Sequence, residues 1–153
     1  MLTKKILTGL IVFTFFGSLP ATAKPTLNLV ESFILAADNT YQPTEDKAQI
    51  NAAIDYYMSF FADDFTDFHA AYGVTISGKD MMKKNKLNKH AQMVANNWLI
   101  ESVILGSTTA IAVIKENSSY YKNNKIKHFQ GRTIFVLEFN EQGKIAHMRR
   151  YLD

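Results

Sequence analysis

The sequence contains no cysteine, which excludes a disulfide framework, a thiol nucleophile and a thiolate metal site. Its four histidines, His69, His90, His128 and His147, show neither H-x-x-x-H nor H-x-H spacing, so no metal is expected. The seven glycines form neither G-x-G-x-x-G nor a phosphate loop, and G-x-S-x-G is absent. Nucleotide binding and serine hydrolysis therefore lack their residues, and no cofactor is expected. Charge of one sign is missing too, with 17 Lys and Arg against 14 Asp and Glu, which argues against a nucleic-acid partner. The local exception is Lys79, Lys83, Lys84, Lys86 and Lys89, a run that reads as the solvated face of a helix.

Only one long apolar run is present, and it stands at the start. Lys4 and Lys5 precede Ile6 to Leu19, and Ala21-Thr22-Ala23 follows as an A-x-A cleavage site. Residues 1–23 therefore read as a secretory signal peptide, and residues 24–153 as a single domain that is periplasmic or secreted in a bacterium. The run is shorter than the ~20 residues that span a bilayer, so no stable membrane anchor is expected. Both lysines leave with the signal, which brings the remaining chain close to neutrality. About 130 residues then remain, enough to bury a core without a covalent staple.

Within that domain, Val30, Phe33, Ile34, Ala37 and Tyr41 fall at helical spacing and predict a first helix from Leu27 to Tyr41. Thr44, followed by Glu45 and Asp46, predicts the N-cap of a second helix. Its stripe of Ile50, Ala53, Ile54, Tyr57, Met58 and Phe61 is widened by Ala52, Tyr56 and Phe60, so packing on both flanks is expected. Phe65 to His69 reads as a short strand and Ala70 to Gly78 as a loop. Ser77 and Asp80 resemble a capping box for a third, lysine-rich helix. Trp98 to Leu105 and Thr108 to Lys115, separated by Gly106-Ser107, predict central strands covered on both faces. Asn117 to Lys125 reads as a long polar hairpin loop. A strand from Arg132 to Phe139, a reversal through Asn140 to Gly143 and a last strand complete the chain, with Thr133, Phe135, Leu137 and Phe139 facing the core. Helices gathered on one face of a curved antiparallel sheet make an α+β sandwich.

Three pieces of this pattern resemble the nuclear transport factor 2-like superfamily, which includes the SnoaL-like polyketide cyclases, ketosteroid isomerases, scytalone dehydratases and limonene epoxide hydrolases. They are Phe60-Phe61-Ala62-Asp63-Asp64 before the first strand, Gly78-Lys79-Asp80 at the third helix, and Gly143-Lys144-Ile145 with Tyr151-Leu152-Asp153 at the close. The resemblance implies a cone-shaped antiparallel sheet curled around about three N-terminal helices, with an apolar pocket at its open end. It is unspecific for activity, because this fold serves enzymes, binding proteins and dimerisation modules. Matched to ketosteroid isomerase, whose carboxylate base and neutral-acid oxyanion hole are well understood, the base falls on His69, the oxyanion tyrosine near Phe33 and the acid on Phe135. Two of the three are apolar here, so steroid isomerisation by that route is not expected.

His69 lies two residues after Asp67 on one face of a strand. The pair reads either as a general base with its orienting carboxylate or as a rim histidine bonded to loop backbone. Tyr56 and Tyr57 point about 100° apart, so one is expected to face the cavity as a hydrogen-bond donor and the other the core. Tyr57 is the candidate catalytic partner of His69 and Asp67. Tyr56, Phe60, Phe65, Phe68, Trp98 and Phe135 are the aromatic supply for a pocket wall. The isomerase match also turns the Met148 row of the last strand inward. His147 and Arg149 are then left on an outer face where Glu138 and Arg132 can pair with Arg149, and that face is commonly a homodimer surface in the superfamily. Three functions follow as expectations: binding of a small, largely apolar molecule; cofactor-free isomerisation, dehydration or cyclisation with His69 as base; or a non-catalytic dimerisation module.

Overall fold

The computed structural model describes residues 23–153, so that all but the last position of the expected signal peptide lies outside the described residues. Three helices, α1 (Leu27–Asn39), α2 (Lys47–Met58) and α3 (Lys79–His90), pack on one mixed sheet of six strands. These are β1 (Phe61–His69), β2 (Val74–Ser77), β3 (Met93–Leu105), β4 (Thr109–Lys122), β5 (Lys125–Phe139) and β6 (Ile145–Leu152), in the order β2-β1-β6-β5-β4-β3. The sheet is antiparallel except where β1 runs parallel to β6. Breaks in register between Ile100 and Ser102 and between Glu138 and Phe139 add the local twist that lets it curve.

Thr26 caps α1, its hydroxyl accepting from the Leu29 N–H at 3.2 Å, and the predicted stripe of Val30, Phe33, Ile34 and Ala37 is buried. The cap of α2 is Asp46 rather than Thr44. Its carboxylate accepts from the Ala48 and Gln49 N–H groups, and Thr44 instead accepts from the Asp46 N–H. This helix ends at Met58, so Phe61 belongs to β1, and only Ile54, Tyr57 and Met58 are buried on a single flank. Gly78, at φ +79°, occupies the cap position of α3 with no side-chain cap, so no Ser77–Asp80 capping box forms. The positive φ there is one that a side chain at this position would resist.

Three further expectations are overturned. Val74–Ser77 is a strand paired to β1, not loop, because its backbone closes the open edge of β1. Asn117–Lys125 continues the β4–β5 hairpin, which reverses at Asn123 and Asn124, both at positive φ as a two-residue primed turn requires. Polar alternation along a solvent-washed ribbon had resembled a loop. Finally, β3 is an edge strand, with Leu99 and Ile104 about three-fifths exposed, so apolar composition there does not mean cover on both faces.

The closing hairpin matches its expectation. Thr133, Phe135, Leu137 and Phe139 are buried, Gly143 has φ +72°, and the Asn140 side chain accepts from the Gln142 and Lys144 N–H groups. The core centres on Phe33, which stacks on Tyr57 at 5.5 Å and meets Phe60, Phe61 and Phe135 edge-on at 5.7–6.1 Å. One side chain thus joins α1, α2, β1 and β5. Phe33→Ala is expected to lower unfolding free energy by about 3–5 kcal/mol, read as a reduced midpoint in urea denaturation with an unchanged slope.

Candidate functional site

The curvature of the sheet leaves a cavity of about 570 Å³ between the inner faces of β4, β5 and β6, the ends of β1 and β2, and the end of α3. Its wall is mainly apolar, built from Ile76, Trp98, Phe129, Phe135 and Leu152, and its polar members include His69, Glu116, Ser118, Thr133 and Arg150. Lys89 and Lys122 add positive charge at its margin.

Beneath His69 sits a buried ion pair. Asp67 has no exposed surface, and Arg150 grips its carboxylate with two donors, Nε to Oδ1 at 3.1 Å and Nη2 to Oδ2. His69 Nε2 lies 3.0 Å from Asp67 Oδ2 and also meets Arg150 Nη2. Burial alone would raise the Asp67 carboxyl. The hydrogen bond with His69 and the adjacent Arg150 guanidinium outweigh it and hold the group below the usual carboxylate range. The two contacts at Nε2 ask for opposite things, since a guanidinium only donates and a carboxylate only accepts. One ring nitrogen cannot serve both at once.

A second polar cluster is buried around Lys86 of α3, outside the cavity lining. Lys86, inside the lysine run expected to face solvent, is buried because it lies one helical turn after Met82 on the inner stripe of α3. Its Nζ donates to Thr40 Oγ1 at 3.1 Å and sits 4.0 Å and 4.2 Å from the ring centres of Tyr41 and Tyr57. Desolvation pulls the Lys86 ammonium down to about 8 despite the opposing pull of Tyr41. Burial would raise the Tyr41 phenol, but Lys86, Lys89 and Arg150 overcome it and bring it to about 7. Lys79 and Lys83 of the run do face outward, onto Asp63 at 2.7 Å and Asp55 at 2.6 Å.

The structure brings His69 and Asp67 together and puts His69, Trp98 and Phe135 on the cavity wall. It does not place the other expected wall residues there. Tyr56 is 55% exposed on the outer side of α2, and Phe60 packs between it and Phe33. Phe65 and Met148 point inward as expected but are consumed by the packed core. Tyr57 is likewise buried, and burial pushes its phenol well above the ordinary range. On the outer face Arg149 meets Glu138 at 3.5 Å, while Arg132 pairs with Glu101 at 2.6 Å instead of joining them.

Arg150, Glu116 and Lys86 were not among the expected site residues. Arg150 shares the inward row of Met148 and Leu152, so alternation alone points it inward. Glu116 follows Ala112 and Ile114 on the inner face of β4, where Ser118 and Thr133 hydroxyls bond its carboxylate.

No family model matches the sequence, and no curated protein does either. Solved structures do match. A protein from Shewanella denitrificans OS-217 described as SnoaL-like polyketide cyclase superposes at a TM-score of 0.67 and 11% identity, over 82% of this chain and 88% of that one. An NTF2-like protein of unknown function from Exiguobacterium sp. 255-15 gives 0.65 at 16% identity, over 82% and 98%. The fold is the nuclear transport factor 2-like fold. A third such structure, a ketosteroid isomerase-like fold from Catenulispora acidiphila DSM 44928 in complex with trimethylamine, gives 0.57 at 15% identity, over 78% and 83%. Phe33 and Phe135, the positions matched to the isomerase oxyanion hole, are both buried and apolar in this chain.

Two predictions arise from the buried groups. Asp67→Asn and Arg150→Gln are each expected to cost about 3–5 kcal/mol, because each strands its partner. The double variant should cost clearly less than the sum in a denaturation cycle. Because the folded carboxyl of Asp67 is depressed, its stabilisation is complete above the unfolded value of about 4 and fades as pH falls through the folded value. In Asp67→Asn that acid-side loss should be smaller. Tyr41 should ionise near pH 7 in a tyrosinate absorbance titration, a component that Tyr41→Phe removes.

Proposed function

We propose that this chain is an exported domain that binds a small, largely apolar molecule in the cavity of its NTF2-like fold. The observation that carries the reading is the cavity itself. Its 570 Å³ falls inside the roughly 300–1,000 Å³ of small-molecule sites. Its wall is apolar with a few convergent polar groups, the pattern such sites share. Export rests on the charged, apolar and A-x-A succession of residues 1–23.

A second reading is favoured by one specific feature. His69 lines the cavity with a buried carboxylate at hydrogen-bond distance, and histidine is the side chain best suited to move a proton near neutral pH. It supports cofactor-free proton transfer in an isomerisation, dehydration or cyclisation. Arg150 competes for the same carboxylate, which ranks this reading below simple binding.

The outer face of the sheet supports a homodimer. Cross-strand rows Ile104–Ile111–Val136 and Val113–Ile134–Tyr151 form an apolar stripe, rimmed by the Glu101–Arg132 and Glu138–Arg149 pairs. Exposed β3 residues Leu99 and Ile104 extend it to the sheet edge, as a self-complementary patch would. Light scattering should then give twice the chain mass.

A thermal-shift panel of sterols, polyketides, terpenoids and simple aromatic compounds is expected to yield at least one stabilising ligand whose effect is lost in Phe135→Arg. Absence of any shift across the panel would count against the binding reading. With a turned-over substrate in hand, His69→Ala that left kcat unchanged would remove the enzymatic one.

A further inference from the structure

We infer that the molecule this cavity takes is an apolar monocarboxylic acid, seated with its carboxylate on the Arg150 guanidinium. The inference rests on the binding reading above and adds the chemistry of the ligand.

Arg150 is positioned by the protein itself. Asp67 accepts from Nε and Nη2, and His69 meets Nη2, which locks the planar head in one orientation. Among the described residues no acceptor bonds Nη1, although Arg150 lines the cavity. A guanidinium held rigid on one edge, with donors left over towards a cavity, is pre-organised for an oxygen anion.

The charges around it favour the same sign of ligand. Asp67 is matched by Arg150, yet Lys89 and Lys122 stand at the wall. Glu116 is the one carboxylate on the wall, and it is already held by two hydroxyls. Arg150 pairs with Phe135 and Phe135 with Ala112, four residues before Glu116. That places the two Cα atoms roughly 16 Å apart by strand spacing. Glu116 therefore stands towards the other end of the cavity from Arg150, where its carboxylate would repel a second anionic group. Between them, Trp98, Phe135, Ile76 and Leu152 supply the surface for an apolar body.

The experiment uses matched series of aryl and cyclohexyl compounds, each skeleton as its carboxylic acid, primary amide and primary amine, titrated calorimetrically into the full domain. Acids are expected to bind about tenfold more tightly than their amides, the gain of a charge-assisted over a neutral hydrogen bond. Amines are expected to be the weakest. Asp67→Asn/Arg150→Gln, which removes both charges and strands neither, should equalise acid and amide while its circular dichroism stays native. Amides or amines that bind as tightly as acids, or an acid preference that survives in the double variant, would overturn the inference and leave the binding reading intact. If no skeleton binds in any form, the binding reading itself fails and this inference with it.

Discussion

The Asp67–Arg150 pair is the constraint on which the candidate site depends. It joins β1 to β6, the parallel step in an otherwise antiparallel sheet, just where the chain must bring an inward arginine past the apolar core. A charge buried there is tolerated only with a partner on hand, and the bidentate geometry supplies one. The same carboxylate takes the His69 Nε2 contact at 3.0 Å, so one buried charge fixes both the guanidinium and the imidazole at the cavity wall.

The packing around that pair follows from a division of aromatic residues. Phe33, Tyr57, Phe61 and Phe65 make the helix–sheet core, and Trp98 and Phe135 stand at its boundary with the cavity. Phe135 touches both, meeting Phe33 on one side and Trp98 at 5.8 Å on the other. With apolar side chains at Phe33 and Phe135, the chain has no hydrogen-bond donor at the two positions matched to the isomerase oxyanion hole. The curled sheet provides the space, with His69 and Arg150 on its wall and Lys89 and Lys122 at its margin.

Periodicity made the core elements readable from the sequence. The α1 stripe and the Thr133–Phe139 alternation each report one buried face, and they correspond to the observed burial. Asp67 and His69 were legible as a pair for the same reason. What the sequence concealed depended on neighbours distant in the chain. Val74–Ser77 becomes a strand because β1 offers an edge, and Tyr56 loses its place in the wall because only one flank of α2 is covered. Lys86 broke the rule that lysines face water, since the rings of Tyr41 and Tyr57 receive its ammonium. Arg150 sat in a row already turned inward by alternation, but its charge masked it. An arginine reads as surface until the carboxylate that neutralises it, 83 residues earlier, is known to lie beside it.

His69 carries the sharpest consequence. The contact with Asp67 asks for a proton on Nε2, whereas the contact with Arg150 asks for a lone pair there. Arg150 Nη2 already donates to Asp67 Oδ2, and the hydrogen bond that helps hold Asp67 below the usual carboxylate range is one that His69 donates, so Nε2 carries the proton of the neutral ring and Nδ1 the lone pair. The nitrogen chemical shifts of the His69 ring, read by long-range proton–nitrogen NMR on the free protein in its neutral-imidazole state, test this directly. A protonated Nε2 with an unprotonated Nδ1 is the expected result. A proton on Nδ1, leaving Nε2 as an acceptor, would contradict the role given to Asp67 as the common partner of Arg150 and His69.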